Sequence, residues 1–264
     1  MSDLNSIVSM LPIRTVLFPF LDTRDASALR LTCQELKQAV TDFPWEDMGT
    51  VIRGSIAQWR ACFPRARGAY VRQMGMYGQN PNGRLTAVVD GDFVHFVGLR
   101  ALNMSYCRQV TDAAFVHLRG IERLDMSWCN QTSITDAAFV HLRGIQELDM
   151  SFCDQATITD AAFAHLVGIQ RLSIQCCYTA TITDAAFAHL VGIQELNMRD
   201  CSQATITSAV FEHLKGIPRL RCEGIPCLKY APLRYGVSCA HTGYTPVPAP
   251  TKWVTRAEMR PGEG

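Results

Sequence analysis

The chain has no long apolar run. Its longest uncharged apolar run near the N-terminus, residues 15–21, spans seven residues, far short of the ~20 that cross a bilayer. No basic segment precedes that stretch, which argues against a secretory leader. A basic excess is lacking too. Lys and Arg number 25 against 24 Asp and Glu, a net charge of +1, whereas a dedicated nucleic-acid binder carries a strong positive surplus. P-loop, GxSxG, HExxH and dinucleotide-binding glycine patterns are all missing, so no familiar catalytic or cofactor motif points to an enzyme. Apolar material is plentiful: 48% of the 264 residues are hydrophobic and 19% charged, a folding composition with room for one or two domains. The 11 cysteines are an odd number without a leader. They fit a reducing compartment, cytoplasmic or nuclear, better than a disulfide framework.

Those cysteines are periodic. Cys107, Cys129, Cys153, Cys177 and Cys201 step by 22, 24, 24 and 24 residues. A His-Leu pair repeats with them at His117, His141, His165, His189 and His213, preceded by His95-Phe96. The first half of each unit reads Ile-x-x-Leu-x-Met-x-x-Cys, as in Ile145, Leu148, Met150 and Cys153. Leu148 and Met150 alternate with Glu147, Asp149 and Ser151, the period of a strand buried on one face. The second half predicts a short helix. Thr135 is placed as its N-cap, Asp136 stands where the helix dipole favours an anion, and Gly144 stops it in the left-handed region. Seven strands are expected, near 71–76, 99–104, 121–126, 145–150, 169–174, 193–198 and 217–222. One such unit cannot bury its apolar side alone, whereas stacked units share a continuous core.

This pattern resembles the leucine-rich repeats of the cysteine-containing subclass, over residues 71–222. The resemblance implies an α/β solenoid, with parallel strands on the concave face and short helices on the convex face.

Residues 1–48 carry no repeat and a net charge of −3. Leu29, Cys33, Leu36 and Val40 fall on one helical face. The order Leu11-Pro12, then Phe20-Leu21-Asp22-Thr23-Arg24-Asp25, then Leu29-Arg30-Leu31-Thr32-Cys33 and a trailing Trp45 resembles an F-box. The match departs from the family in Ile13 and Arg14, where an acidic residue is usual, in Leu36, where Trp is usual, and in a spacing about two residues short. F-box followed by cysteine-type repeats is the arrangement of F-box/LRR proteins. The resemblance implies a substrate-recognition subunit of an SCF-type cullin-RING ubiquitin ligase. Leu11, Pro12, Leu17, Phe20, Leu21, Leu29 and Cys33 would form the box that docks a Skp-type adaptor, and the repeats would hold a substrate protein. The alternative is a protein-binding scaffold whose residues 1–48 are a helical cap without any ubiquitin link. The domains read as 1–48 F-box-like, 49–70 basic junction, 71–222 repeats, and 223–264 C-terminal cap and Pro-rich tail.

Residues 49–89 hold six arginines and no Asp or Glu. These would pair with the acidic first 48 residues or meet an acidic partner. The histidines, two positions from the buried Phe of each helix, are expected on the flank rather than on a metal. Cys222, Cys227, Cys239 and His241 are spaced loosely for zinc, so no metal or cofactor is expected.

Binding in a solenoid belongs to the variable positions of the concave face. Arg123, Asp125, Glu147, Asp149, Arg171 and Arg199 stand there, and Tyr106, Trp128 and Phe152 precede successive ladder cysteines. Asp125, Glu147 and Asp149 read as an acidic band, with Arg219 and Arg221 as a basic end. The aromatic row is either a partner surface or packing over the strand edge. A protein partner is expected, with no nucleic acid and no membrane.

Overall fold

The computed structural model describes residues 17–71 and 87–225. Seven strands form one parallel sheet in sequential order: β1 (Gly68–Tyr70), β2 (Ala101–Asn103), β3 (Arg123–Asp125), β4 (Glu147–Asp149), β5 (Arg171–Ser173), β6 (Glu195–Asn197) and β7 (Arg219–Arg221). The register advances by one repeat per strand. Leu102, Leu124, Leu148, Leu172, Leu196 and Leu220 are therefore neighbours in one row, and all six are buried.

The first strand differs from expectation. The strand that pairs with β2 is Gly68–Tyr70, ahead of the expected stretch near 71–76, with Ala69 paired to Leu102 and Val71 donating its N–H to Asn103 O. Ala69 replaces the usual Leu and Val71 the usual Met, so the signature that marks the other strands is missing. Gly68 is required there, because a Cβ would sit 2.9 Å from the backbone carbon of Glu46. Met74 and Met76 lie outside the described residues.

Each return to the convex side begins with a Thr cap. Thr135 Oγ1 accepts from Ala137 N, and a four-residue helix, Asp136–Phe139, continues as a 3₁₀ turn, Val140–Leu142. Phe139 and Leu142 bury, and Gly144 turns the chain at φ +86°, where a side chain would be strained. The same capped turn recurs at residues 112, 160 and 184.

Two side-chain ladders join the units. Asp112 accepts both the N–H and the hydroxyl of Thr135 at 2.8 and 2.6 Å, and the pattern repeats at Asp90–Thr111, Asp136–Thr159, Asp160–Thr183 and Asp184–Thr207. Each thiol also reaches the carbonyl of the preceding strand end, as Cys129 to Met104 O (3.3 Å), Cys153 to Met126 O (3.2 Å) and Cys177 to Met150 O (3.3 Å). Buried backbone carbonyls of one unit are thereby satisfied by the thiol of the next.

Before the sheet stand α1 (Thr23–Leu29), α2 (Gln34–Asp42) and α3 (Ile56–Cys62). Leu29, Cys33, Leu36 and Val40 do not share one helix. Cys33 is extended (φ −159°, ψ 168°) and caps α2, its sulfur accepting from Leu36 N at 3.5 Å. A capping residue must leave the helical region, which splits the stripe. These helices meet the repeats through Phe18, Trp45 and Phe63. Trp45 stacks on Phe18 at 5.4 Å and meets Phe63 edge-on at 6.0 Å, and its indole donates to Val40 O at 2.8 Å. All three rings are buried and belong to the one core that runs through the repeats.

The junction arginines divide their roles. Arg67 pairs with Glu46 at 3.7 Å, as the charge segregation suggested. Arg60 instead donates to the carbonyls of Ala66 and Val97.

Candidate functional site

The concave face presents parallel rows, because every strand repeats the same inward–outward alternation in register. The first row is Arg123, Glu147, Arg171, Glu195 and Arg219. Its charges alternate and pair: Arg171 with Glu147, and Arg219 with Glu195 at 3.7 Å. Glu147 therefore belongs to a neutralised ladder rather than to an acidic band. Arg219 is likewise paired, which leaves Arg221 as the basic end.

The second row is Asn103, Asp125, Asp149, Ser173, Asn197 and Arg221. Asp125 accepts from Ser127 N and Oγ at 2.9 and 2.7 Å and from Asn103 Nδ2 at 2.8 Å. Asp149 accepts from Ser151 N and Oγ at 2.9 and 2.6 Å. Burial, with a further push from the charge of Asp149, raises the Asp125 carboxyl above its ordinary value despite these hydrogen bonds. A groove of ≈ 460 Å³ runs over this region, with Met48, Asn103, Asp125, Asp149, Ser173 and Arg221 in its wall. Arg199 lies one row further on, held by Glu223 at 3.2 Å.

At the rim, Tyr106, Trp128 and Phe152 form a stack. Ring centroids are 5.3 Å apart for Tyr106–Trp128 and 4.0 Å for Trp128–Phe152, with planes 9° apart in both pairs. All three residues are left-handed, at φ 65°, 63° and 61°. Cys176 and Asp200 continue the series at φ 55° and 57°, and Gly224 ends it at 79°. Three consecutive aromatics in a conformation that costs roughly 1–2 kcal/mol each are unusual, and the stacking offsets part of that cost. The rings are half-buried, so the row is both packing and accessible surface.

A second apolar surface lies on the N-terminal helices. Phe20 is 83% exposed, Leu31 88% and Leu17 43%. Leu21 and Leu29 instead pack against the core, and Cys33 caps α2. Leu11 and Pro12 lie outside the described residues. Leu31 was not singled out from sequence; it stands in the turn between α1 and α2, so no helical periodicity marks it as exposed. Met48 likewise carried no such signal, because it reaches the groove from a loop.

Among the described residues no group of three or more His, Cys, Asp or Glu could hold a metal ion, and no helix is long and apolar enough to cross a membrane. Of the loosely spaced cluster near the end only Cys222 is described, and it is buried.

No family model matches the sequence, and no curated protein does either. Solved structures do match. The TLR13–ssRNA13 complex aligns at TM-score 0.50 and 18% identity over 68% of this chain and 24% of that one. The Drosophila Toll–Spatzle complex aligns at TM-score 0.51 and 14% identity over 72% and 28%. The Rad7–Elc1 complex of yeast reaches only 0.47 at 17% identity, over 58% and 44%. The chain thus spans about a quarter of the length of the first and the Toll match and under half of the Rad7 match. With seven in-register parallel strands backed by capped helical turns, the chain is a leucine-rich-repeat solenoid in fold.

Proposed function

We propose that this chain is a substrate-recognition subunit of an SCF-type cullin-RING ubiquitin ligase. Its N-terminal helices would dock a Skp-type adaptor, and its concave face would hold a substrate protein. It would catalyse nothing itself and act by raising the substrate's local concentration near the ubiquitin-loaded enzyme. The observation that carries this reading is the exposure of Phe20 and Leu31, which flank α1, in a segment whose order and composition resemble an F-box. A cap needs to bury apolar residues against the solenoid, as Phe18 and Trp45 do. Phe20 and Leu31 are the two most exposed large apolar side chains among the described residues, more so than Val191 (74%) in the repeats, which favours a partner surface there.

The scaffold reading has its own support. Phe18, Trp45 and Phe63 close the first end of the repeat core, which a cap alone would also do. A pull-down separates the two. The intact chain is offered a purified Skp-type adaptor beside a Phe20→Asp/Leu31→Asp variant. Both sites are exposed, so circular dichroism should stay unchanged, whereas Leu21→Asp would disturb the core. Retention by the intact chain and loss by the variant supports the ligase reading. No retention by the intact, folded chain favours the scaffold.

A further inference from the structure

Resting on the reading that the concave face holds a protein partner, we infer that the partner segment is extended and pairs a basic side chain with an apolar one. The Lys or Arg enters between Asp125 and Asp149, and the apolar or aromatic residue lies against the Trp128–Phe152 stack.

In the outer row Arg171 pairs with Glu147 and Arg219 with Glu195, which leaves Arg123 as its one charge outside those pairs. Arg199 is taken by Glu223. Of the charges lining the groove, Arg123, Arg221, Asp125 and Asp149 stay outside those pairs; the two carboxylates are neighbours opposite one another in register, with their strands about 4.8 Å apart. Every hydrogen bond to them comes from a neutral donor, and neither enters an ion pair among the described residues. Two half-buried like charges in a groove of ≈ 460 Å³ lower the energy of an entering ammonium or guanidinium.

The aromatic stack is independent of that charge. Its rings are held parallel in left-handed backbone, which makes them a rigid apolar rim with little entropy to lose on binding. The series then stops being aromatic. Cys176 succeeds Phe152, and no further ring is stacked on Phe152 among the described residues. Residue 128 lies three positions beyond 125, at most about 10 Å along the strand direction. An extended partner covers that distance in two or three residues. The expected pattern is therefore a basic residue and an apolar residue separated by one or two positions.

The test is selection of a random twelve-residue peptide library on the full chain in low salt. Synthetic versions of the enriched peptides are then titrated against two variants. Asp125→Asn/Asp149→Asn keeps the fold, since Asn103 and Asn197 already occupy equivalent positions. Trp128→Asn/Phe152→Asn uses a residue at ease at positive φ. The inference expects enrichment of the basic–apolar pattern, at least tenfold weaker binding by the first variant, at least threefold by the second, and weakening with salt. Enriched peptides without a basic residue overturn it, as does binding that the Asp variant retains. If such peptides are acidic and lost in Arg123→Gln/Arg171→Gln, the concave face still binds protein and only the chemistry assigned here falls. If nothing is enriched, both the inference and concave-face recognition fall, while adaptor docking at Phe20 and Leu31 stands or falls by its own pull-down.

Discussion

Thr135 gives both its backbone N–H and its hydroxyl to the carboxylate of Asp112, one repeat away, at 2.8 and 2.6 Å. At the same time its Oγ1 accepts from Ala137 N at 3.2 Å. One side chain therefore starts its own helix and ties it to the preceding one. In a solenoid, whose stability is a sum of units and their interfaces, such a joint couples neighbours directly. Asp136→Ala should lower stability by about 2–3 kcal/mol, because two donors of Thr159 lose a charged acceptor. Urea titration checks it. A loss under 0.5 kcal/mol would mean that water replaces the carboxylate and the ladder is decorative.

The thiol ladder predicts silence toward alkylation. Burial pushes Cys201 up to about 12 and raises Cys129, Cys153 and Cys177 well above the ordinary thiol value, so the reactive thiolate is scarce at neutral pH. Brief iodoacetamide treatment followed by peptide mapping should leave these four unmodified in the native protein. Labelling should appear only on unfolding. Cys33 and Cys62, both partly exposed, provide the internal comparison.

At position 128 the usual ranking of alanine over glycine should invert. Trp128→Ala removes the stack but keeps a Cβ at φ 63°, whereas Trp128→Gly removes both the stack and the strain. The glycine variant should be the more stable of the two by roughly 1 kcal/mol, and both should be less stable than the parent. Thermal unfolding of the pair decides this. Equal midpoints would show that the left-handed turn relaxes once the ring is gone.

Most of the solenoid was legible because each unit repeats its own evidence. Leu148, Met150, Cys153, Thr135, Phe139 and Gly144 do the same work at five or six places, and a period of 24 averages away local ambiguity. The first strand was not legible, because Ala69 and Val71 fill the Leu and Met places with side chains that carry no signature. The Thr–Asp joints were half legible: Asp136 looked like a dipole anion, but its tie to Thr159 needs the neighbouring unit in space. On the concave face the residues were readable as exposed strand positions, whereas their pairing was not. Glu147 looked acidic until Arg171 was placed beside it. In the N-terminal helices an apolar stripe predicted burial for Leu29 and Leu36, yet Cys33 broke that stripe by capping α2.

Asp125 allows stability and binding to be set against each other. Burial raises its carboxyl above the ordinary 3.8, so the native state holds this proton more tightly than the unfolded chain does. Sign follows from linkage: the charge costs stability at neutral pH, and that cost fades as pH falls through the raised native value and vanishes below the unfolded one. Asp125→Asn removes the charge and keeps an oxygen that can accept from Ser127, as Asn103 Oδ1 accepts from Ser105 N at 3.0 Å; it forfeits the bond from Asn103 Nδ2, a neutral-donor contact set against relief of the buried charge and of its repulsion by Asp149. The variant should therefore melt higher than the parent at pH 7, and the gap should close as pH falls toward 4. Circular dichroism melts at both pH values measure this directly. A gap that is absent or independent of pH would show that the carboxylate is well solvated. A residue whose removal strengthens the fold and weakens peptide binding is retained for the partner rather than for the scaffold, and the two readouts on one substitution distinguish those roles.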